Sequence, residues 1–178
     1  MELKEKTVSS QPKYSGVIVN VRLDKAELPN GKLAPREVVS HPGGVAVLPL
    51  HEDGTVTVVK QYRYPFHTVL TEIPAGKLDP NEEHGICGLR ELEEETGLIP
   101  DKFTYLGCLL VSPGYSDEVI HLYLARGLRQ GKQHTDPDEF LELERVPFEE
   151  LLARVMADEL HDAKTVAAVL KTKVLLGI

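Results

Sequence analysis

The sequence predicts an α/β sandwich with a mixed sheet, preceded by short N-terminal antiparallel β-strands. Runs of β-forming residues lie on both sides of one acidic helical pattern, and two amphipathic helical patterns close the chain. The strands do not alternate regularly with helices, so a repeated βαβ array is not expected. With 178 residues, of which 42% are hydrophobic, the chain suits one domain, or one domain with a small appendage.

The sequence predicts an N-terminal segment of β-strands over residues 1–42. The main domain is predicted to follow over residues 43–178. Alternating apolar residues predict a strand over residues 14–25, "PNGK" predicts a turn, and "REVVSHP" predicts a second strand. The next two β-rich runs are "GGVAVLPL" and "TVTVVKQYRY". Asp53-Gly54 lies between these runs and predicts a β-hairpin.

The second half of the chain predicts two further strands and two helices. "FTYLGCLLV" and "HLYLARGL" are the strand candidates, and residues 129–146 form a polar stretch that predicts a loop. Apolar residues at helical spacing predict amphipathic helices over residues 148–160 and 162–177.

Charge and cysteine content narrow the class of protein. The net charge of −8 argues against non-specific binding to nucleic acids or anionic membranes, but not against a small anionic ligand. The N-terminus lacks an apolar signal region and no apolar run approaches about 18 residues, so a cytoplasmic location is expected. The two cysteines, Cys87 and Cys108, predict neither a disulfide framework nor a zinc site.

The segment "GKLDPNEEHGICGLRELEEETGL", residues 76–98, predicts a helix over roughly residues 80–96. Asp79 suits the N-cap, Pro80 the first helical position and Glu82 the third, as in a capping box. Gly97 suits the C-terminal stop.

Three carboxylates near the end of this helix need an explanation. Glu91, Glu94 and Glu95 fall within an arc of roughly 100° on one face, where they repel each other at the negative end of the helix. Two interpretations remain open at this point. The residues form either a solvated acidic face or a site for a divalent cation, for which Mg²⁺ with its preference for carboxylates is suited.

The same segment resembles the Nudix hydrolase motif. Gly76, Glu82 and the run Arg90–Leu98 match the pattern G-x5-E-x7-R-E-U-x-E-E-x-G-U, in which U is aliphatic, at every defining position. The resemblance implies a Nudix-type α/β/α sandwich and the cleavage of a nucleoside diphosphate linked to another group, with Mg²⁺ or Mn²⁺. It further implies that Glu91 and Glu95 bind metal, that Glu94 binds metal or positions water, and that the Ala75 carbonyl is a further ligand.

The flanking residues resemble the ADP-ribose pyrophosphatase subgroup. In "SPGYSDE", residues 112–118, the resemblance implies that Pro113, Gly114 and Glu118 belong to the substrate site; an ordinary Ser-Pro-Gly turn is the alternative. Upstream, "REVVSHPGGVAVLPL" and "KQYRYPF" followed by "TEIPAGKLD" resemble the subgroup as well.

Three charged residues are candidates for direct substrate binding. Arg63 is either a surface arginine or a guanidinium fork on a phosphate or the terminal ribose, and the resemblance favours the fork. Arg36 is a second, weaker candidate for the same role. Glu72 is either an acceptor for ribose hydroxyls or the adenine amine, or a charge at the rim.

The general base is expected in the polar stretch 129–146, since the subgroup usually carries it on a late loop. Glu139 is the first candidate, with Glu142 and Glu118 behind it; each alone is most often a solvated charge.

The resulting hypothesis is a Mg²⁺-dependent hydrolase that converts ADP-ribose to AMP and ribose 5-phosphate. The resemblance also implies a homodimer in which residues 1–42 exchange between subunits. Two alternatives stay open: hydrolysis of another nucleoside diphosphate sugar or a dinucleotide, and a sensor that binds ADP-ribose without cleaving it.

Overall fold

The computed structural model describes residues 2–135 and 140–178, which form two compact units. The first unit comprises the residues up to Gly43 together with Leu110–Val119. The second unit comprises Gly44–Leu109 and Ile120–Ile178. No helix within the described residues is long and apolar enough to cross a membrane.

The first unit contains an antiparallel sheet in the order β1-β2-β3, with β1 at Lys6–Ser15, β2 at Asn20–Glu27 and β3 at Leu33–Ser40. The turn predicted at "PNGK" is confirmed, because Gly31 N–H donates to the Leu28 carbonyl at 2.9 Å. The single strand predicted over residues 14–25 is wrong. The chain reverses there, with Gly16 N–H donating to the Val19 carbonyl, and the polar residues before the turn form the fully exposed strand β1.

The second unit contains two sheets. The four-stranded sheet has the order β7-β4-β9-β8, and the three-stranded sheet has the order β10-β5-β6. Strand β4 pairs parallel to β9 and antiparallel to β7, so the mixed sheet is confirmed. The strands are β4 (Gly44–Pro49), β5 (Thr55–Arg63), β6 (Thr68–Glu72), β7 (Ala75–Lys77), β8 (Leu98–Leu110), β9 (Val119–Gln130) and β10 (Leu141–Pro147).

The three helices are α1 (His84–Thr96), α2 (Phe148–Met156) and α3 (Ala163–Leu176). Helices α1 and α3 pack against β4, and α2 packs against α3 and β10. Alternate residues of a strand point to opposite faces. Val45 and Val47 accordingly pack in one apolar cluster with Leu92 of α1, whereas Ala46 and Leu48 pack in the other cluster, which holds residues of α2 and α3. A fully buried valine or leucine contributes about 1.5–3 kcal/mol, so both faces stabilise the predicted α/β/α arrangement.

The β-hairpin predicted around Asp53-Gly54 is wrong as a strand pair. The turn forms, with Gly54 N–H donating to the His51 carbonyl at 3.1 Å, but β4 and β5 belong to different sheets and meet in the bridge between Leu50 and Val56. Strand β4 is buried along its whole length and pairs on both edges with β7 and β9, which leaves no edge for β5.

The loop predicted over residues 129–146 is wrong at both of its ends. Strand β9 continues to Gln130, and Leu141 begins strand β10, which pairs antiparallel with β5. The candidate Glu142 therefore lies in a strand opposite Lys60, not in a loop.

Candidate active site

Helix α1, which carries the acidic cluster, begins later than predicted. Its N-cap is Glu83, whose side chain accepts hydrogen bonds from the N–H groups of Gly85 and Ile86. The predicted N-cap Asp79 lies in a turn before the helix, where its own N–H donates to the Glu82 carboxylate at 3.0 Å. Asn81 has a φ of 65°, which is incompatible with a helix, so the chain turns once before α1 starts.

The C-terminal end of α1 agrees with the prediction at Gly97. Its φ of 70° is left-handed, and its N–H donates to the Glu93 carbonyl at 2.7 Å. A Cβ at this position would lie 2.9 Å from the backbone nitrogen of Gln133, so the close approach of this later segment also requires glycine.

The segment after β9 satisfies the remaining carbonyls at this helix end. His134 N–H donates to the Glu94 carbonyl at 3.0 Å, and Gln133 Nε2 donates to the Glu95 carbonyl at 2.7 Å. The last carbonyls of a helix otherwise have no partner within the helix. These bonds hold the turn that carries the predicted metal ligands.

Glu91 and Glu94 lie side by side at the surface of α1. The Nη1 atom of Arg90 contacts Glu91 Oε1 and Glu94 Oε2, each at 2.8 Å. Glu91 also lies directly over Gly76, because a Cβ built on Gly76 would fall 1.9 Å from the Glu91 Cδ atom. The glycine of the motif thus leaves the space that the Glu91 carboxylate fills.

Glu95 is the buried member of the cluster, with 2% of its surface exposed. Its Oε2 accepts a hydrogen bond from Ala75 N–H at 3.0 Å. Strand β7, which begins at Ala75, and helix α1 are therefore held together at the residues that the sequence assigned to the metal.

Arg90 organises the acidic residues around it. Its Nε and Nη2 atoms bind the two oxygens of Glu82, each at 2.9 Å, in addition to the contacts with Glu91 and Glu94. The hydrogen bonds from Arg90 lower the pKa of Glu82 to about 2, from an ordinary value of 4.5. Two-point pairing of this kind fixes the orientation of both side chains.

The oxygen atoms of the α1 carboxylates and of the Ala75 backbone suit a hard divalent cation, but they do not form a complete coordination shell. Carboxylates on successive turns of α1 lie next to the backbone of Ala75, and Mg²⁺ prefers a few carboxylates together with water and substrate phosphates. In residues 2–135 and 140–178, no three His, Cys, Asp or Glu side chains converge on one point as a complete cation site.

Two of the predicted substrate-binding residues bind each other. Arg63 Nε and Nη2 donate to the two oxygens of Glu72, each at 2.7 Å. The rim position considered for Glu72 is excluded, because only 1% of its surface is exposed. Burial raises the pKa of Glu72, but the hydrogen bond from Arg63 and the charge of Lys164 outweigh it, so the carboxyl has a lowered pKa.

Sequence reasoning missed Lys164, which also binds the Glu72 carboxylate. Lys164 lies in the first turn of α3 and is 8% exposed. A lysine at a helix N-terminus is disfavoured by the macrodipole, and this unusual placement was the available signal for a buried anionic partner.

The other predicted substrate-binding residues lie in the first unit. Arg36, Pro113 and Gly114 line one cleft of about 330 Å³. Arg36 forms a two-point ion pair with Glu5, at 2.9 and 2.7 Å. Glu118 does not line this cleft and lies 3.4 Å from His41 Nδ1.

The first candidate for the general base, Glu139, lies outside the described residues.

Other side chains that can carry chemistry lie in packed surroundings. The rings of His84 and His121 stack with centroids 3.9 Å apart; His84 is hydrogen-bonded to Tyr123 and His121 to Tyr105. Burial raises the pKa of the Cys87 thiol to about 12, which makes it a poor nucleophile.

The sequence is similar to two protein families and to curated proteins. Residues 40–169 match the family described as NUDIX domain, and residues 5–39 match the nucleoside diphosphate sugar hydrolase N-terminal domain. The ADP-ribose pyrophosphatase of Bacillus subtilis (strain 168) is 43% identical over 169 residues, which cover 94% of this chain and 91% of that protein. The methanol dehydrogenase activator of Bacillus methanolicus is 41% identical over 168 residues, which cover 93% and 91%.

A solved structure agrees in fold. A crystal structure of an ADP compounds hydrolase superposes with a TM-score of 0.87 at 20% identity, and covers 99% of this chain and 97% of that chain. The predicted fold class and the resemblance inferred from the motif are both confirmed. From the match over residues 40–169 and the relatives above 40% identity, the chain belongs to the Nudix hydrolase family.

Proposed function

We propose that this Nudix hydrolase cleaves the pyrophosphate bond of ADP-ribose, with a divalent metal ion, to give AMP and ribose 5-phosphate. The observation that carries the proposal is the set of carboxylates on α1 that lies against the start of β7, with Glu91 over Gly76 and Glu95 bonded to Ala75. The likeness to the ADP-ribose pyrophosphatase of Bacillus subtilis over most of both chains supports the choice of substrate.

Glu91, Glu94, Glu95 and the Ala75 carbonyl are the groups that would hold the metal, with Mg²⁺ as first choice and Mn²⁺ as second. A bound divalent ion would supply neutralisation of phosphoryl oxygens and activation of water. The protein contributes the alignment. Arg90 holds Glu91 and Glu94 on one side of the helix, and the Ala75 N–H group holds Glu95 against β7.

Arg63 is proposed to bind the anionic diphosphate. Its Nε and one N–H of Nη2 are engaged by Glu72, and a guanidinium has five N–H donors in total. Because 39% of its side chain is exposed, we propose that Arg63 uses its remaining N–H donors for the substrate. Glu72 keeps the orientation of that fork fixed.

Glu139 is proposed as the general base that takes the proton from the attacking water. The neighbouring residues Gln133 and His134 are bonded to the end of α1, so the chain that leads to Glu139 starts beside the metal-binding turn. A base must reach the attacking water within hydrogen-bond distance, and this sets the requirement that a substrate complex has to meet.

Arg36, Pro113, Gly114 and Glu118 are proposed to contribute to the nucleotide side of the site in a homodimer. Arg36, Pro113 and Gly114 share one cleft in the first unit. Strand β1 is exposed along its whole length, and Val17 and Ile18 are exposed at its turn, which suits exchange with a second copy. Light scattering after size exclusion should give twice the chain mass; a monomer at micromolar concentration would contradict the dimer. The cytoplasmic location stays a prediction.

A substrate panel tests the activity. ADP-ribose, ADP-glucose, GDP-mannose, NADH and diadenosine polyphosphates are assayed with Mg²⁺, and again with excess EDTA. ADP-ribose is expected to have the highest kcat/KM, and EDTA is expected to abolish turnover. If GDP-mannose exceeds ADP-ribose by about tenfold or more in kcat/KM, the substrate assignment is wrong.

A regulatory role is the second candidate, because the relative from Bacillus methanolicus is named as an activator of another enzyme. A regulator that only binds nucleotides would show tight binding of ADP-ribose by calorimetry and no turnover in the presence of metal. Turnover in the panel together with no change in the rate of an added alcohol dehydrogenase would exclude that role.

A further inference from the structure

Residues at the N-terminus of helix α3 bind the short segment between Glu72 and Ala75. Ile73 N–H donates to Thr165 Oγ1 at 2.9 Å, and Lys164 Nζ binds the Glu72 carboxylate. At the other end of the segment, Ala75 N–H binds Glu95. A proposed substrate residue, Glu72, and a proposed metal ligand, Ala75, are therefore three residues apart on a segment that is fixed at both ends.

Lys164 is held in place by a second anion. Its Nζ atom lies 2.7 Å from Asp162 Oδ1. Asp162 is the N-cap of α3, and its Oδ2 accepts from Thr165 N–H at 3.0 Å. The positive end of the helix dipole, equivalent to roughly half an elementary charge, offsets part of the Asp162 charge, so Asp162 and Glu72 share the ammonium group of Lys164.

Glu72 consequently has two cationic partners, Arg63 and Lys164. If Arg63 were its only partner, the two charges would cancel and the pair would attract a diphosphate only weakly. With Lys164 beside the same carboxylate, Glu72 is shared between two cations and does not pair with Arg63 alone. Asp162, which Lys164 also binds, brings this cluster to two positive and two negative side chains. Arg63 is the member that reaches solvent, since Lys164 and Glu72 are both more than nine-tenths buried.

We propose that Lys164 is a positioning residue for the substrate site, which neutralises and orients Glu72 so that Arg63 retains its charge for the diphosphate. This inference rests on the proposed function, because it assumes that Arg63 binds a diphosphate. It assigns an electrostatic role to a residue of α3 that is separated from Glu72 by 92 positions in the sequence.

The test replaces Lys164 by methionine, which keeps the length of the apolar stem and removes the charge. KM and the Kd of the non-hydrolysable α,β-methylene analogue of ADP-ribose, measured by calorimetry, should each rise about tenfold, the effect expected for a hydrogen bond to a charged group. The value of kcat should change less than about threefold, since the metal-binding turn is untouched. Lys173→Met is the matched control: it removes an exposed ion pair with Glu149 from the same helix and should change neither constant.

A double-mutant cycle with Glu72→Gln separates positioning from direct contact and from folding. If Lys164 acts through Glu72, the double variant should bind the analogue as Glu72→Gln alone does. A further loss in the double variant would mean that Lys164 binds the substrate itself. If Lys164→Met fails to fold, the comparison of the double variant with Glu72→Gln still decides, because the buried Glu72 carboxylate is absent from both proteins and Asp162 keeps its N-cap hydrogen bond from Thr165 N–H.

The two proposals fail differently. If the wild type hydrolyses another diphosphate and not ADP-ribose, the substrate assignment falls, and the cycle is repeated with the methylene analogue of the compound that it does hydrolyse. If KM and Kd of the preferred compound are unchanged in folded Lys164→Met, the inference about Lys164 is wrong, whatever the substrate. A lower melting temperature with unchanged KM would assign Lys164 a structural role only.

Discussion

Gly76→Ala should remove most of the hydrolytic activity and leave the fold in place. The added Cβ would lie 1.9 Å from Glu91 Cδ and 2.0 Å from Glu91 Oε1. Non-bonded carbon atoms rest about 3.5–4.0 Å apart, so the Glu91 carboxylate has to move by roughly 1.5–2 Å. A displacement of about 1 Å in a positioned group costs on the order of 100-fold, and we expect kcat to fall at least that far.

The variant should remain folded. Glu91 is mostly buried, with 14% of its side chain exposed, and its pairing with Arg90 Nη1 is shared with Glu94. Weakening a hydrogen bond to a charged group costs about 1.5–3 kcal/mol, which is less than the roughly 5–15 kcal/mol that stabilises a typical domain. Circular dichroism melts and steady-state kinetics at saturating Mg²⁺ therefore measure the two effects separately.

Gly54→Ala is a control with the opposite expected outcome: a loss of stability without a loss of activity. Gly54 has a φ of 79° in the turn between β4 and β5, and a Cβ there would meet nothing within 4 Å. Alanine in this conformation should lower the free energy of unfolding by about 1 kcal/mol and leave kcat unchanged. If Gly76→Ala instead keeps a kcat within about threefold of wild type, the position of Glu91 over Gly76 does not matter for the reaction, and the assignment of Glu91 as a metal ligand is wrong.

Three further changes test other parts of the site. Glu95→Gln should fold and lower kcat at least about 100-fold, since it removes an anionic ligand; unchanged kcat would return Glu95 to a structural role. Glu139→Gln should lower kcat more than it weakens metal affinity measured by Mn²⁺ titration, and the reverse pattern would make it a ligand. The carboxylate of Glu82, with its pKa lowered to about 2 by Arg90, stabilises the fold fully above about pH 4.5. That contribution should disappear as the pH falls from 4.5 towards 2, so Glu82→Gln should flatten the acid limb of the melting temperature against pH.

The start of α1 shows where local signals mislead. Asp79-Pro80 followed by Glu82 has the composition of a helix start, and a prediction from neighbouring residues places the N-cap at Asp79. In the structure Glu82 binds Arg90, eight residues further along, in a two-point ion pair. That pairing fixes Glu82 in the turn before the helix, and Glu83 becomes the cap. A cap prediction fails when a stronger tertiary partner takes the side chain.

The strand errors have a different origin. Apolar runs correctly identified the segments of β4, β5 and β9, because burial on both faces is a property of composition. Their partners depend on pairing between distant residues, such as Leu141 with Gln61 or Gly44 with Ile120. Edge and exposed strands such as β1 carry no apolar alternation, so the sequence offered no signal for them.

The candidate site could be predicted as a set of residue types, but the ion pairs within it could not. Spacing on one helix places Glu91, Glu94 and Glu95 together, and the repulsion among them is one reason to expect a cation there. Arg90 contacts Glu82, Glu91 and Glu94 at once and cannot neutralise all three with one positive charge. The site therefore keeps a net negative charge beside Glu95, which favours a divalent ion there.

Arg63 and Lys164 supply the complementary half. They share the Glu72 carboxylate, and Lys164 also binds Asp162. The hydrogen bond with Glu72 raises the pKa of Arg63, and the charge of Glu95 adds to this rise, so Arg63 lies within electrostatic reach of Glu95. If the carboxylates on α1 hold the metal as proposed, a diphosphate between them and Arg63 is attracted from both sides only when the metal is bound. Without metal, the carboxylates on α1 repel the substrate, so substrate affinity should depend on Mg²⁺ far more steeply than the affinity of a neutral nucleoside. Equal metal dependence for ADP-ribose and adenosine in calorimetry would show that the two halves do not act on the same ligand.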